Sequence, residues 1–293
     1  MKSRIIAGLL VGLAWILVLC FLPGWTLCAL LCIMSCLCQA EFYGMFKNGK
    51  TRFSSSPAWG MALGCTWLVY TFVFPPSSSG VASWMWLFPL MIFLFLVRVL
   101  FMRRVKPVEY AAMTLLGFLY IPFMLSYLIR IAQWGVPHTE IGTLLSDRSG
   151  IFLAFFTACA VKFCDIGGFA VGIPFGRHKL MPSISPKKSW EGLLGGILFS
   201  VAVSIGLVAL AQKVEWIRGG PLETLPLYHA AVIGVLMSVV GLLGDLIESR
   251  FKREADIKDS AGLLPGLGGI LDMFDSLIFA PAALYFYLTL FAE

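Results

Sequence analysis

Asp272 and Asp275 stand three residues apart at the start of the last apolar stretch, where a helix would put both carboxylates on one face. A carboxylate inside a membrane helix costs ~2.5–3.5 kcal/mol near the bilayer centre on insertion scales, so such a pair requires compensation. A bound cation is the simplest form. Upstream, Asp245, Glu248, Ser249 and Lys252 follow i, i+3, i+4, i+7 spacing, one face of a helix that continues past the membrane surface. Four acids, Asp245, Asp259, Asp272 and Asp275, beside Lys252, Arg253 and Lys258 suit Mg²⁺ bridging a polyphosphate, with the basic groups neutralising its remaining charge. Gly266, Gly268 and Gly269 would let backbone amides approach a phosphate closely.

A second polar loop runs from Phe175-Gly176-Arg177-His178-Lys179 through Ser185-Pro186-Lys187-Lys188-Ser189 to Trp190-Glu191-Gly192. Its prolines set turns, and Ser189 can cap a helix that begins at Trp190. Lys187 and Lys188 then sit just before a helix N-terminus, whose free N–H groups favour anions.

The elements that must position these loops are membrane helices. Apolar residues make up 59% of the 293 positions and charged residues 13%, and the mean hydropathy is +0.88, which places most of the chain in lipid. Stretches long enough to cross a hydrocarbon core of roughly 30 Å fall at about 5–22, 26–42, 57–75, 82–102, 110–135, 150–174, 190–212, 227–248 and 267–291. Backbone groups in lipid must be paired within the segment, and the runs lack the alternation of a barrel strand. The expected fold class is therefore all-α, a polytopic bundle of about nine transmembrane helices. It divides into N-terminal helices, 1–108, and a catalytic membrane region, 109–293, of one continuous bundle.

Lys and Arg concentrate in alternate loops, at Lys2 and Arg4, Lys47 to Arg52, Arg103 to Lys106, Arg177 to Lys188 and Arg250 to Lys258. The opposite loops hold only Arg148, Lys213 and Arg218. Basic loops stay inside, so the N-terminus and both polar loops are expected to be cytoplasmic, in a multi-pass protein of the inner membrane. The net charge of +6 is explained by these loops and anionic headgroups, and needs no nucleic acid.

Plainer readings hold elsewhere. Glu41 and Glu109 read as acids that snorkel to water, as does Arg98 among the bases; Arg130 and Lys162 stay open. The eight cysteines read as small buried hydrophobes, and His138, His178 and His229 receive no role.

The two polar loops together resemble the phosphatidate cytidylyltransferase, or CDP-diacylglycerol synthase, family. The family's C-terminal signature stands here as Ser249-Arg250-Phe251-Lys252-Arg253, Lys258-Asp259, Pro265-Gly266-Leu267-Gly268-Gly269 and Asp272-Met273-Phe274-Asp275. Ser185 to Gly192 looks like the family's Ser-Pro-Lys-Lys-Thr-Trp-Glu-Gly, and Asp165 stands where the family tends to keep an acid. Leu267 and Met273 depart from the signature His and Arg.

The resemblance implies that CTP and phosphatidate give CDP-diacylglycerol and pyrophosphate in phospholipid biosynthesis. It implies metal ligation by Asp245, Asp272 and Asp275, with Mg²⁺ as the divalent cofactor. Catalytic roles fall to Asp259, Lys258, Ser249 and Lys252, and substrate binding to Lys187, Lys188, Arg253 and Asp165. The partners implied are CTP and phosphatidate in the bilayer; oligomeric state is left open, a homodimer included. Two rivals stand beside this reading: another CTP-using or phosphate-transferring lipid enzyme, and a cation-coupled transporter using the intramembrane acids.

The orientation is directly testable. Single cysteines at Ser183 and Ser260, in a background cleared of native cysteines, are expected to resist an impermeant thiol reagent in intact cells. Labelling of either from outside would overturn the inside-facing assignment.

Overall fold

The computed structural model describes residues 24–48, 53–74, 87–100, 106–134, 148–214, 220–257, 260 and 269–291. The helices are α1 (Gly24–Asn48), α2 (Pro57–Val73), α3 (Leu87–Leu100), α4 (Pro107–Phe118), α5 (Met124–Ala132), α6 (Arg148–Phe175), α7 (Trp190–Lys213), α8 (Pro221–Thr224), α9 (Leu227–Glu254), α10 (Ile270–Ile278) and α11 (Ala280–Phe291). Where described residues fall in the apolar runs drawn from residue 26 onward they are mainly helical; the first expected span, 5–22, lies outside the described residues. Among the described residues, six helical segments are long and apolar enough to cross a membrane, beginning at Trp25, Pro107, Gly150, Trp190, Leu227 and Ile270. The protein is an all-α, multi-pass membrane protein. Its α6 and α7 expose Ile166, Phe169, Ile173, Leu194 and Leu198, side chains that water would penalise and lipid accepts.

The chain forms two compact units. The first holds residues 1–130, 137–144 and 251–274. Here Tyr43 of α1 lies against Gly60 of α2 and Gly117 of α4, and its hydroxyl donates to the Thr114 carbonyl at 2.8 Å. Small residues at such crossings bring helix backbones close, which replaces the hydrophobic drive that lipid removes. Pro122 sits in a π-helical turn, Leu119–Phe123, between α4 and α5, where the wider turn accommodates its missing N–H. Phe42 and Phe46 pack edge-on to Phe251, at 5.7 and 6.2 Å between ring centres.

The second unit holds residues 131–136, 145–250 and 275–293. Its centre is the antiparallel pair α6 and α7, which approach through glycines: a Cβ on Gly196 would lie 2.8 Å from the Cys164 carbonyl oxygen. The polar loop between them contains a two-stranded antiparallel hairpin, β1 (Lys179–Met181) and β2 (Ser185–Ser189). This is the one departure from all-helical structure among the described residues. The sequence suggested only proline turns there. Ser189 caps α7 as expected, its hydroxyl accepting the Gly192 N–H at 3.2 Å. Glu191, in the first turn of α7, accepts the backbone N–H groups of Arg177 and His178, each at 3.2 Å, and lies 2.6 Å from His178 Nδ1. The hairpin is thus fastened to the helix it precedes.

The packing argument makes a paired prediction. Gly196→Ala should lower stability in detergent by about 1–3 kcal/mol, because the added methyl meets backbone that cannot move aside. Gly206→Ala, on the same helix with open space around it, should be neutral or stabilising by up to about 1 kcal/mol. Thermal unfolding of the two variants measures the difference; equal melting temperatures would refute close packing at Gly196.

Candidate active site

The helix α9 is 28 residues long, about 42 Å at 1.5 Å per residue, and so exceeds a hydrocarbon core of roughly 30 Å. Its last turns therefore carry Asp245, Glu248, Ser249 and Lys252 as helix, on the face that the spacing predicted. Glu248 is fully buried.

In the second unit, the α9 and α10 backbones approach so closely at Gly244 that a Cβ there would strike the Asp275 carbonyl. This contact sets Asp245 beside Asp275. Asp165, from α6, joins them, and the three carboxylates lie within Coulombic reach, with Asp245 and Asp165 both acting on Asp275. Two lysines answer them. Lys188, at the end of β2, pairs with Asp245 at 2.7 Å, and Lys162 lies 3.6 Å from Asp165. Ser249 Oγ donates to Asp245 at 3.2 Å. Ser276 Oγ bridges Asp165, at 3.2 Å, and Lys162, at 3.3 Å.

Asp272 has other partners, in the first unit. Lys252 Nζ donates to its Oδ1 at 2.7 Å, and the Gly269 N–H donates to its Oδ2 at 2.8 Å. The Ser260 N–H makes a longer contact with the same oxygen, at 3.4 Å. Glu41 completes this set and corrects the sequence reading. It does not snorkel to water: it is 4% exposed and accepts the N–H groups of Ile270 and Leu271, each at 2.8 Å, and the Ser260 hydroxyl at 2.9 Å.

The candidate residues thus fall into two described groups. Asp165, Lys188, Asp245, Ser249 and Asp275 come together in the second unit, while Lys252 and Asp272 pair in the first. Lys187 and Arg253 are exposed, and Lys258 and Asp259 lie outside the described residues, as does Leu267. Sequence reasoning missed Lys162 and Glu41. Each is a charge within a largely apolar helix, and the cost of placing it there was the available signal.

The donor set fits a hard divalent ion in kind, being carboxylate oxygen throughout. Among the described residues no three such groups converge into a ready-made cage. Magnesium does not require one: it is held by one or two carboxylates, its own waters and substrate phosphates. Asp245 and Asp275 could supply that minimum.

Comparisons with known proteins agree with this chemistry. Residues 2–291 match the model of the cytidylyltransferase family. The phosphatidate cytidylyltransferase of Mycobacterium bovis is 30% identical over 99% of this chain and 89% of its own length. That of Synechocystis is 28% identical over 99% of this chain and 97% of its own length. That of Bacillus subtilis is 39% identical over 50% of this chain and 51% of its own length. With a match running through every described helix and both polar loops, the chain belongs to the cytidylyltransferase family.

Proposed function

We propose that the protein is a phosphatidate cytidylyltransferase, transferring a cytidylyl group from CTP to phosphatidate. A phosphate oxygen of the lipid bonds to the α-phosphorus of CTP. The bond from that phosphorus to the β,γ-pyrophosphate breaks, and pyrophosphate leaves with the electron pair. The attacking oxygen is already anionic, so no strong base is needed. The barrier lies in bringing two polyanions together and holding them in line.

The observation that carries this reading is the cluster of Asp165, Asp245 and Asp275 with Lys162 and Lys188, drawn from four separate elements of a family member. In the proposal, Asp245 and Asp275 hold a divalent cation, Mg²⁺ in the first instance, which supplies charge neutralisation at the phosphate oxygens. Lys188 and Lys162 neutralise phosphate charge from the protein side. Ser249 orients Asp245, and Ser276 orients Asp165 and Lys162. Asp272, with Lys252 and the N–H groups of Ser260 and Gly269 on its oxygens, is assigned to holding those two residues and not to the cation. Lys187, Arg253 and Lys258 keep their proposed places at the phosphates, and Asp259 its place as a further acid of the site. The assigned groups lie in the region 109–293, and the Lys and Arg asymmetry of the loops supports a cytoplasm-facing site in the inner membrane, with nine spans and the N-terminus inside.

Asp245→Asn and Asp275→Asn each remove a charge that the proposed cation needs while keeping the side-chain shape. Purified protein supplied with labelled CTP, phosphatidate and Mg²⁺ should lose at least about 100-fold in turnover for either variant, by the scale of a lost electrostatic contact in catalysis. Insertion and monodispersity should survive, because Asn keeps the side-chain shape and, at buried Asp275, shedding a charge lowers the desolvation cost. Well-folded variants with wild-type turnover and unchanged Mg²⁺ dependence would refute the assignment.

A further inference from the structure

We propose that Glu41 is a positioning residue: one buried carboxylate of α1 gathers the two ends of the 260–269 segment and sets the start of α10. This deepens the cytidylyltransferase reading and rests on it.

The geometry is economical. Glu41 Oε1 takes the Ile270 N–H, while Oε2 takes both the Leu271 N–H and the Ser260 hydroxyl. Ser260 ends one side of the segment and Gly269 begins the other, so a single side chain ties its two described ends. The free N–H groups at the first turn of a helix carry partial positive charge, and a carboxylate satisfies two of them here without a side chain from the helix itself. Gly269 is the residue that permits this approach. A Cβ there would strike Ser260 Oγ and Glu41 Oε2, and would lie 2.9 Å from Glu41 Cδ. Three residues on, the Asp272 carboxylate closes the arrangement from the other side, accepting from Gly269 and Ser260 while it pairs with Lys252.

Glu41 is itself held in place. Its chain neighbour Phe42 is fully buried and packs on Phe251 at 5.7 Å and on Tyr120 at 5.8 Å. Phe251 directly precedes Lys252, the partner of Asp272. One turn of α1 therefore fixes the base of the Lys252–Asp272 pair through ring packing and its other side through Glu41. Burial removes water as a substitute acceptor, so losing the carboxylate leaves the Ile270 and Leu271 N–H groups without their partner.

The test uses full-length Glu41→Ala and Glu41→Gln, purified in detergent alongside the wild type. Two readouts are taken: hydrogen exchange of the α10 amides, and turnover with CTP, phosphatidate and Mg²⁺. Glu41→Ala should exchange at Ile270 and Leu271 at least tenfold faster and lose at least tenfold in kcat, with the KM for CTP changed less than threefold. Glu41→Gln, which keeps the volume and one acceptor oxygen, should fall between. If Glu41→Ala does not fold, the comparison rests on Glu41→Gln. Unchanged exchange with wild-type kcat would overturn the proposal. So would a lower melting temperature with wild-type kcat per folded molecule, the signature of a purely structural contact. A wild-type protein that transfers no cytidylyl group would refute the functional reading, while hydrogen exchange would still decide whether Glu41 holds the segment.

Discussion

A charged carboxylate among apolar helices is tolerated only where the protein itself supplies what water would have given. That constraint organises the polar part of this molecule. Asp245 is met by Lys188 and Ser249, Asp165 by Lys162 and Ser276, Asp272 by Lys252 and a backbone N–H, and Glu41 by two N–H groups and a hydroxyl. Each compensation comes at least in part from a neighbouring element, so helix packing and polar pairing stabilise each other. The close glycine contacts belong to the same logic. Gly244 lets α9 reach α10 where Asp245 and Asp275 must meet, and Gly269 admits Glu41.

Pairs of this kind also suit the proposed chemistry. An enzyme joining a nucleoside triphosphate to a lipid phosphate must neutralise a large negative charge without attracting it irreversibly. Lysines already paired to carboxylates are held in position before the substrates arrive, so less ordering is left for the reaction itself. A divalent cation entering between carboxylates whose mutual repulsion is only partly relieved would gain from relieving the rest. The Asp165, Asp245 and Asp275 group has that character, with three acids facing two lysines.

The N-terminal helices carry more of this arrangement than their composition suggests. Helix α1 reads as one more apolar span, yet Phe42 and Phe46 brace Phe251, and Glu41 seats the start of α10.

By itself the sequence determined the helical class, the position of each described span, the Ser189 cap and the face shared by Asp245, Ser249 and Lys252. These follow from local rules: hydropathy over a bilayer's thickness, a hydroxyl before a helix, and the 3.6-residue period. Only the tertiary structure decided which charge meets which. Lys188 with Asp245, Lys162 and Asp165 with Ser276, and Glu41 with Ile270 and Leu271 join residues far apart in the chain. Periodicity reports which residues share a face of one helix, and is silent on what a second helix brings to it. Asp272 and Asp275 make the point most sharply: their spacing put them together on one face, but packing gave Asp272 to Lys252 and Asp275 to the acids of the second unit. The cost of burying a charge was legible in the sequence, and the partner that offsets it was not, because that partner is chosen by helix contacts that no local spacing encodes.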